Sequence, residues 1–198
     1  MAPTARAARF VRWLLWPVAA VLTLAVVGQA SYASFSAKVS NAGNSLSVGS
    51  VNLTDDDSGS ALLSLTNLKP GSSGSRCIAV SSDGTLPSSV KLYATDVTST
   101  KSLGSYVTLT ITQGSGASFG SCSGFTGLSS GSMVYSGTLA SFTGAATGYS
   151  TGLGNWVPTG NAAESRSFQF AYTVSASIPD SAQGGTVSFG ATWEAQNT

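Results

Sequence analysis

The sequence predicts an all-β protein: an antiparallel two-sheet β-sandwich of the jelly-roll type, following an N-terminal signal peptide. Three observations carry this reading. Apolar and polar residues alternate with a period of two over long stretches, the mark of strands with one buried and one solvated face. Clusters of Gly, Ser, Asn, Asp and Pro break those stretches apart at short intervals. Beyond the first 33 of the 198 residues no helical period is evident.

The first element in order is the export signal. Arg6, Arg9 and Arg12 precede an apolar run from Trp13 to Gly28, and the small residues Ala30, Ser31 and Ala33 follow. A basic stretch, a short apolar core and a small-x-small exit describe a secretory signal over residues 1–33. The run contains Pro17 and falls short of the roughly 20 residues that span a bilayer comfortably. An uncleaved membrane anchor is the competing reading. Cleavage after Ala30 or after Ala33 satisfies the small-residue rule equally.

Residues 34–198 are expected to form one β-sandwich domain, a length that suits a single core. "YVTLTIT" sets Val107, Leu109 and Ile111 against Thr108, Thr110 and Thr112, and "FQFAYTV" sets Phe168, Phe170, Tyr172 and Val174 against Gln169, Ala171 and Thr173. "TVSFGATWEA" alternates Val187, Phe189, Ala191 and Trp193 with Ser188, Gly190, Thr192 and Glu194. Shorter candidates are "SLSVGSVNLT", "ALLSLTNL", "RCIAVSS", "SVKLYATDV" and "MVYSGTLA", for about eight or nine strands in all. The Gly/Ser-rich stretches from Gly114 to Gly131 and from Thr143 to Gly160 read as loops, the second anchored through Trp156 in "GNWVP".

Charge and cysteine content narrow the function. The whole chain carries a net charge of +1, and removing the signal leaves six basic and eight acidic residues. So sparse a charge argues against a nucleic-acid partner, which needs clustered Lys and Arg. Beyond Gly28 there is no second apolar span, basic tail or sorting-type C-terminus, so the mature chain is expected to be exported and not held by its C-terminus. Cys77 and Cys122 are the only cysteines, and in an exported chain they most simply form one disulfide.

Catalytic chemistry finds little support. The chain has no histidine, which removes Ser-His-Asp, Cys-His and helical zinc-protease arrangements. Asp55, Asp56 and Asp57 form an acidic cluster without calcium-loop spacing, and read as a solvated turn between strands. Glu164 and Glu194 read as exposed strand-end carboxylates that nothing in their spacing brings together as acid and base. No catalytic, cofactor-binding or metal-binding residue is assigned.

Three stretches, "ASYASFSAKVSNAGNSLSVGSVNLT", "LTNLKPGSSGSRCIAVSSDGTLPSSVKLYA" and "VSFGATWEAQN", resemble the exported TasA and camelysin-type proteins, a family processed by SipW-like signal peptidases. The chain looks like an actinobacterial member. The resemblance covers the signal exit, the first half of the domain and the last strand; residues from about Lys101 to Asn161 diverge. It implies a jelly-roll domain secreted to the cell surface or extracellular matrix. In its TasA branch the domain is the main subunit of biofilm-matrix fibres, and the mature N-terminal segment is donated as a β-strand to the next subunit. The matching segment is Ser34 to about Ser40, where Phe35, Ala37 and Val39 alternate with Ser34, Ser36, Lys38 and Ser40; an ordinary first strand pairing within its own domain is the competing reading. The family pattern favours the cut between Ala33 and Ser34. Implied partners are copies of the chain itself, head to tail, a SipW-like peptidase during export and an accessory fibre protein.

Camelysin-type members are associated with metallopeptidase activity, which cannot be carried onto this chain residue by residue. The expected function is therefore that of a structural fibre subunit, not an enzyme. A second reading is a monomeric secreted β-sandwich that binds a surface ligand or polysaccharide through Tyr149, Trp156 or nearby loops. A camelysin-like metallopeptidase is the weaker third.

Overall fold

The computed structural model describes residues 36–38, 50–59, 62–65 and 68–198. The expected signal peptide, residues 1–33, lies outside them, as do Ser34, Phe35 and Val39 of the expected donor strand. The described chain is built from strands β1 (Ser36–Lys38), β2 (Leu53–Asp55), β3 (Ser64–Leu65), β4 (Ser73–Ser82), β5 (Ser88–Ser99) and β6 (Val107–Ser115). Strands β7 (Thr126–Gly127), β8 (Met133–Thr138), β9 (Leu153–Trp156), β10 (Glu164–Val174) and β11 (Val187–Asn197) complete it, with one helix, α1 (Leu139–Ala145). One sheet has the order β1-β11-β5-β9, with β3 also on β11; the other has the order β2-β4-β10-β6-β7, with β8 also on β6. Every pairing is antiparallel. The all-β two-sheet sandwich expected from the alternation is the architecture found.

The period of two does what it promises in the long strands. Val107, Leu109 and Ile111 of β6 are wholly buried, and Phe168, Phe170 and Val174 of β10 join them from the neighbouring strand. Ile78 and Val80 of β4 continue this face, and Val90 and Leu92 of β5 meet it from the other sheet. β11 supplies the largest buried side chain, Trp193. Its indole lies 5.1 Å from the ring of Phe168 and 6.1 Å from that of Phe170, the latter edge to face. Both phenylalanines stand on the opposite sheet, so these contacts join the two layers. Tilted and edge-on geometry suits the aromatic quadrupoles and adds to the gain from area burial.

Three sequence expectations need correction. "MVYSGTLA" is a strand only as far as Thr138; Leu139 and Ala140 begin α1. Thr138 caps that helix by accepting a hydrogen bond from the backbone N–H of Ser141, and Leu139 and Phe142, three apart, are both fully buried. Seven residues give two buried positions, too few to display a helical period. The stretch Gly114–Gly131 holds the end of β6 and strand β7, where Gly114 is required because a Cβ would sit 2.1 Å from the Thr126 carbonyl oxygen. The stretch Thr143–Gly160 holds a 3-10 turn (Tyr149–Thr151) and β9. Trp156 anchors that stretch as expected, at 2% exposure.

The disulfide joins Cys77 of β4 to Cys122, with Cα atoms 5.1 Å apart. It closes a loop of 45 residues, which in the chain-entropy model stabilises the fold by about 4 kcal/mol. Gln113, 1% exposed on β6, adds a second tether by donating to the Gly131 carbonyl and to Asn155 of β9. The segment between β6 and β8 is thus held at Cys122, within it, and at Gly131, near its end.

Replacing Trp193 with Ala removes the side chain that joins the two sheets. A loss of about 3–5 kcal/mol is expected in urea unfolding, with the disulfide intact. A loss below about 1 kcal/mol would mean the layers are held together elsewhere.

Candidate functional site

The outer edge of β11 is where the geometry is least ordinary. β1 pairs with it at Glu194, Ala195 and Gln196, and β3 pairs with it at Val187 and Ser188. Among the described residues no strand pairs with this edge between Phe189 and Trp193. Alongside that interval runs a groove of about 400 Å³, lined by Leu62, Leu63, Ile78, Phe189 and Trp193 and flanked by Asp57 and Asp96. Trp193 Nε1, buried with the rest of the indole, has no hydrogen-bond partner among the described residues. Main chain left without a strand partner among the described residues, above an apolar floor, is the environment that accepts an added strand.

Of the residues expected to form a donor strand, Ala37 lies within the described residues, in β1. Its register partner is Ala195, which is fully buried on β11. Directly opposed residues of an antiparallel pair share a face, so the register sets the Ala37 position on the same face of the sheet as Ala195. β1 occupies this edge within its own chain. The Ala33–Ser34 junction lies outside the described residues.

The outer face of the same sheet carries a second feature, a cleft of about 590 Å³ lined by Tyr93, Thr95, Tyr149, Ser150, Glu194 and Gln196, among others. Glu194 is not the exposed strand-end carboxylate expected: it is 4% exposed, in the body of β11. The Tyr93 hydroxyl donates to its Oε2 at 2.8 Å, and Gln196 Nε2 donates to its Oε1 at 3.2 Å. Burial first, then the hydrogen bond and negative charge of Glu194, push the Tyr93 hydroxyl up to about 12 from 10.0. Of the residues suggested for ligand contact, Trp156 is buried in β9 and cannot present its ring to a ligand. Tyr149 is half-buried in the cleft wall, its hydroxyl donating to the Ser89 carbonyl at 3.1 Å.

The acidic cluster is more than a solvated turn. Asp56 Oδ1 accepts from the N–H of Ala79 at 2.9 Å, just where β2 stops pairing with β4, and Oδ2 accepts from the N–H of Phe119 at 2.7 Å. One exposed carboxylate thereby extends the β2–β4 ladder and clamps the loop that carries Cys122. Asp57 accepts from the N–H of Gly59, in an Asx-type turn. Asp55 is raised above the usual carboxylate range, by burial and then by the neighbouring Asp57. Glu164, at the start of β10, is drawn below that range by the backbone N–H and hydroxyl of Thr159.

The family model described as camelysin metallo-endopeptidase matches residues 16–106, in keeping with the TasA and camelysin-type resemblance of the sequence. No curated protein matches the chain. A metallo-endopeptidase requires ligands for its metal, and the residues here do not fit one. Histidine is absent from the chain, both cysteines are consumed in the disulfide, and both Asp56 oxygens are taken by main-chain N–H groups. Among the described residues no three His, Cys, Asp or Glu side chains converge.

The Tyr93 environment makes a pH prediction. Its hydroxyl stays neutral in the fold to about 12 while an unfolded tyrosine ionises near 10.0. The contribution is fully present below pH 10 and is lost as pH climbs from 10 through 12. Tyrosinate absorbance should show a late-titrating tyrosine that disappears in Tyr93→Phe, and above pH 10 the variant should lose stability less steeply than the parent. Identical titration curves for the two proteins would refute the assignment.

Proposed function

From a chain of the camelysin and TasA type, we propose an exported structural protein. It is the subunit of an extracellular or cell-surface fibre of the biofilm-matrix kind, assembled head to tail by exchange of the N-terminal strand. The protein is not an enzyme and uses no cofactor. The observation that carries this reading is the edge of β11. Three residues of β1 hold it, and beyond them, among the described residues, no strand pairs with the interval from Phe189 to Trp193, which borders an apolar groove lined by Phe189 and Trp193.

Continuing the β1 register by simple count would bring Val39 opposite Trp193 and Asn41 opposite Ala191. The segment from Ser34 would thus present Phe35, Ala37 and Val39 on the core side. Each large apolar side chain fully covered there would contribute roughly 1.5–3 kcal/mol. A contact in which every subunit gives one strand and receives another is heterologous and extends as an open fibre. Export by a SipW-like peptidase, with the cut after Ala33, frees the strand; before the cut it remains tethered to the signal. An accessory fibre protein is the remaining partner in this scheme. The competing reading, a monomer that binds a saccharide or other surface ligand, draws on the cleft around Tyr93 and Tyr149, though Trp156 has no part in it.

The test compares the chain starting at Ser34 with one lacking Ser34 to Val39, and with Phe35→Asp, at equal concentration by light scattering and electron microscopy. Fibres are expected from the parent and none from the deletion; Phe35→Asp should abolish or severely slow assembly because it places a charge in an apolar seat. Equal fibre yield from all three would overturn the proposal.

A further inference from the structure

β11 and the N-terminal segment are each nearly devoid of charge, and the charges they do have stand opposite each other. In β11, "VSFGATWEAQN", the only ionisable side chain is Glu194. In Ser34 to Ser40, "SFSAKVS", it is Lys38. The observed register pairs Ser36 with Gln196, Ala37 with Ala195 and Lys38 with Glu194. On the other flank of Glu194 the register partner is Lys91 of β5, whose Nζ donates to the Gly154 carbonyl at 2.7 Å. The basic residue at the matching position on the β1 side is Lys38.

We infer that Lys38 opposite Glu194 is the register lock of the N-terminal strand, the pair by which the β11 edge recognises this segment, whether from its own chain or from a second copy. The remainder of the segment excludes a one-residue slip but discriminates weakly against a slip of two. A slip of one residue would turn its apolar positions away from the core. A slip of two residues exchanges serine for serine on the polar face and Phe35 or Val39 for Ala37 on the other, a change that a groove tolerates far more readily. What a two-residue slip does not tolerate is electrostatic. It would set Ser36 or Ser40 against a carboxylate that is only 4% exposed, and move the lysine to Gln196 or Thr192. Separating a buried charge from its counter-charge is far more costly than shifting an exposed one, and directly opposed unlike charges are favourable cross-strand pairs. Tyr93 and Gln196 hold the carboxylate on the outer face, so the reference charge is fixed before the strand arrives. This inference deepens the strand reading and rests on it for its role in trans, yet the lock itself can be read in the monomer.

The experiment is a charge-exchange cycle in the chain starting at Ser34, which keeps the whole compact unit Phe35–Thr198. Lys38→Glu, Glu194→Lys and the double exchange are compared by amide hydrogen exchange across Ser36–Lys38 and Glu194–Gln196, at concentrations below assembly. Each single reversal should accelerate exchange by about tenfold or more, and the double should return to within about threefold of the parent. Additive effects, with the double exchange no slower than the worse single, would overturn the lock. Should Glu194→Lys fail to fold, the cycle of Lys38→Met and Glu194→Gln decides in the same way: coupling supports the lock, additivity overturns it. Where the parent forms fibres, the two single reversals should fail alone and copolymerise when mixed, since each then meets the opposite charge. Fibres from either single variant alone, at parental yield, would overturn the lock in trans. A parent that forms no fibres speaks against the assembly reading only, and the exchange cycle still decides the lock.

Discussion

The packing of one indole between two sheets is the constraint from which the rest follows. Trp193 must reach Phe168 and Phe170 across the interior, which fixes the face β11 turns inward. Because side chains alternate, the next residue must face outward, and that residue is Glu194. The core contact therefore determines where the sheet places its charged group. It also leaves the outer edge of β11, between the stretches held by β1 and β3, bordering the apolar groove. The interior, the buried carboxylate and the edge along the groove are three consequences of one strand's orientation.

The opposite sheet is secured by different means, and the division of labour matters. β4 and β10 pair over ten residues, a length of ladder that resists opening. The disulfide, the Asp56 clamp and Gln113 tie the β6–β8 loop down onto that sheet and across to β9. On the first sheet, β1 and β3 contribute three and two paired residues to the β11 edge. Native sheets commonly protect an edge with short strands and charge. The strand exchange proposed above would need rigidity on one sheet and few hydrogen bonds to break on the edge of the other, and these two demands fall on different sheets.

Much of this was legible in the sequence wherever a pattern was long enough to repeat. β6, β10 and β11 announced themselves through alternation, and the pairing of the cysteines followed from their number. Short elements were not legible: α1 shows two buried positions, and β7 consists of Thr126 and Gly127, both exposed. The candidate site was legible in part. Glu194 was placed on a strand by the alternation, but its burial did not follow from the strand. Alternation assigns a residue to a face without saying whether that face is covered. Here Tyr93 and the segment carrying Tyr149 and Ser150 cover it from far away in the chain. Asp56 escaped for a similar reason, since its two partners, Ala79 and Phe119, are distant in sequence.

If the edge of β11 reads the N-terminal strand as proposed, these non-local covers explain how a chain so poor in charge would encode specificity. In water, one lysine opposite one glutamate on a sheet surface contributes little, because solvent screens both. The same pair next to a carboxylate that is held in place and largely removed from water is discriminating, because the alternative registers strand that charge. Adding more charges would weaken the effect, since a ladder of alternating Lys and Glu offers several registers of similar energy. A serine-rich segment with one cation, read by an edge with one buried anion, has a single best alignment. Sparse charge in this protein is therefore consistent with selectivity for one strand.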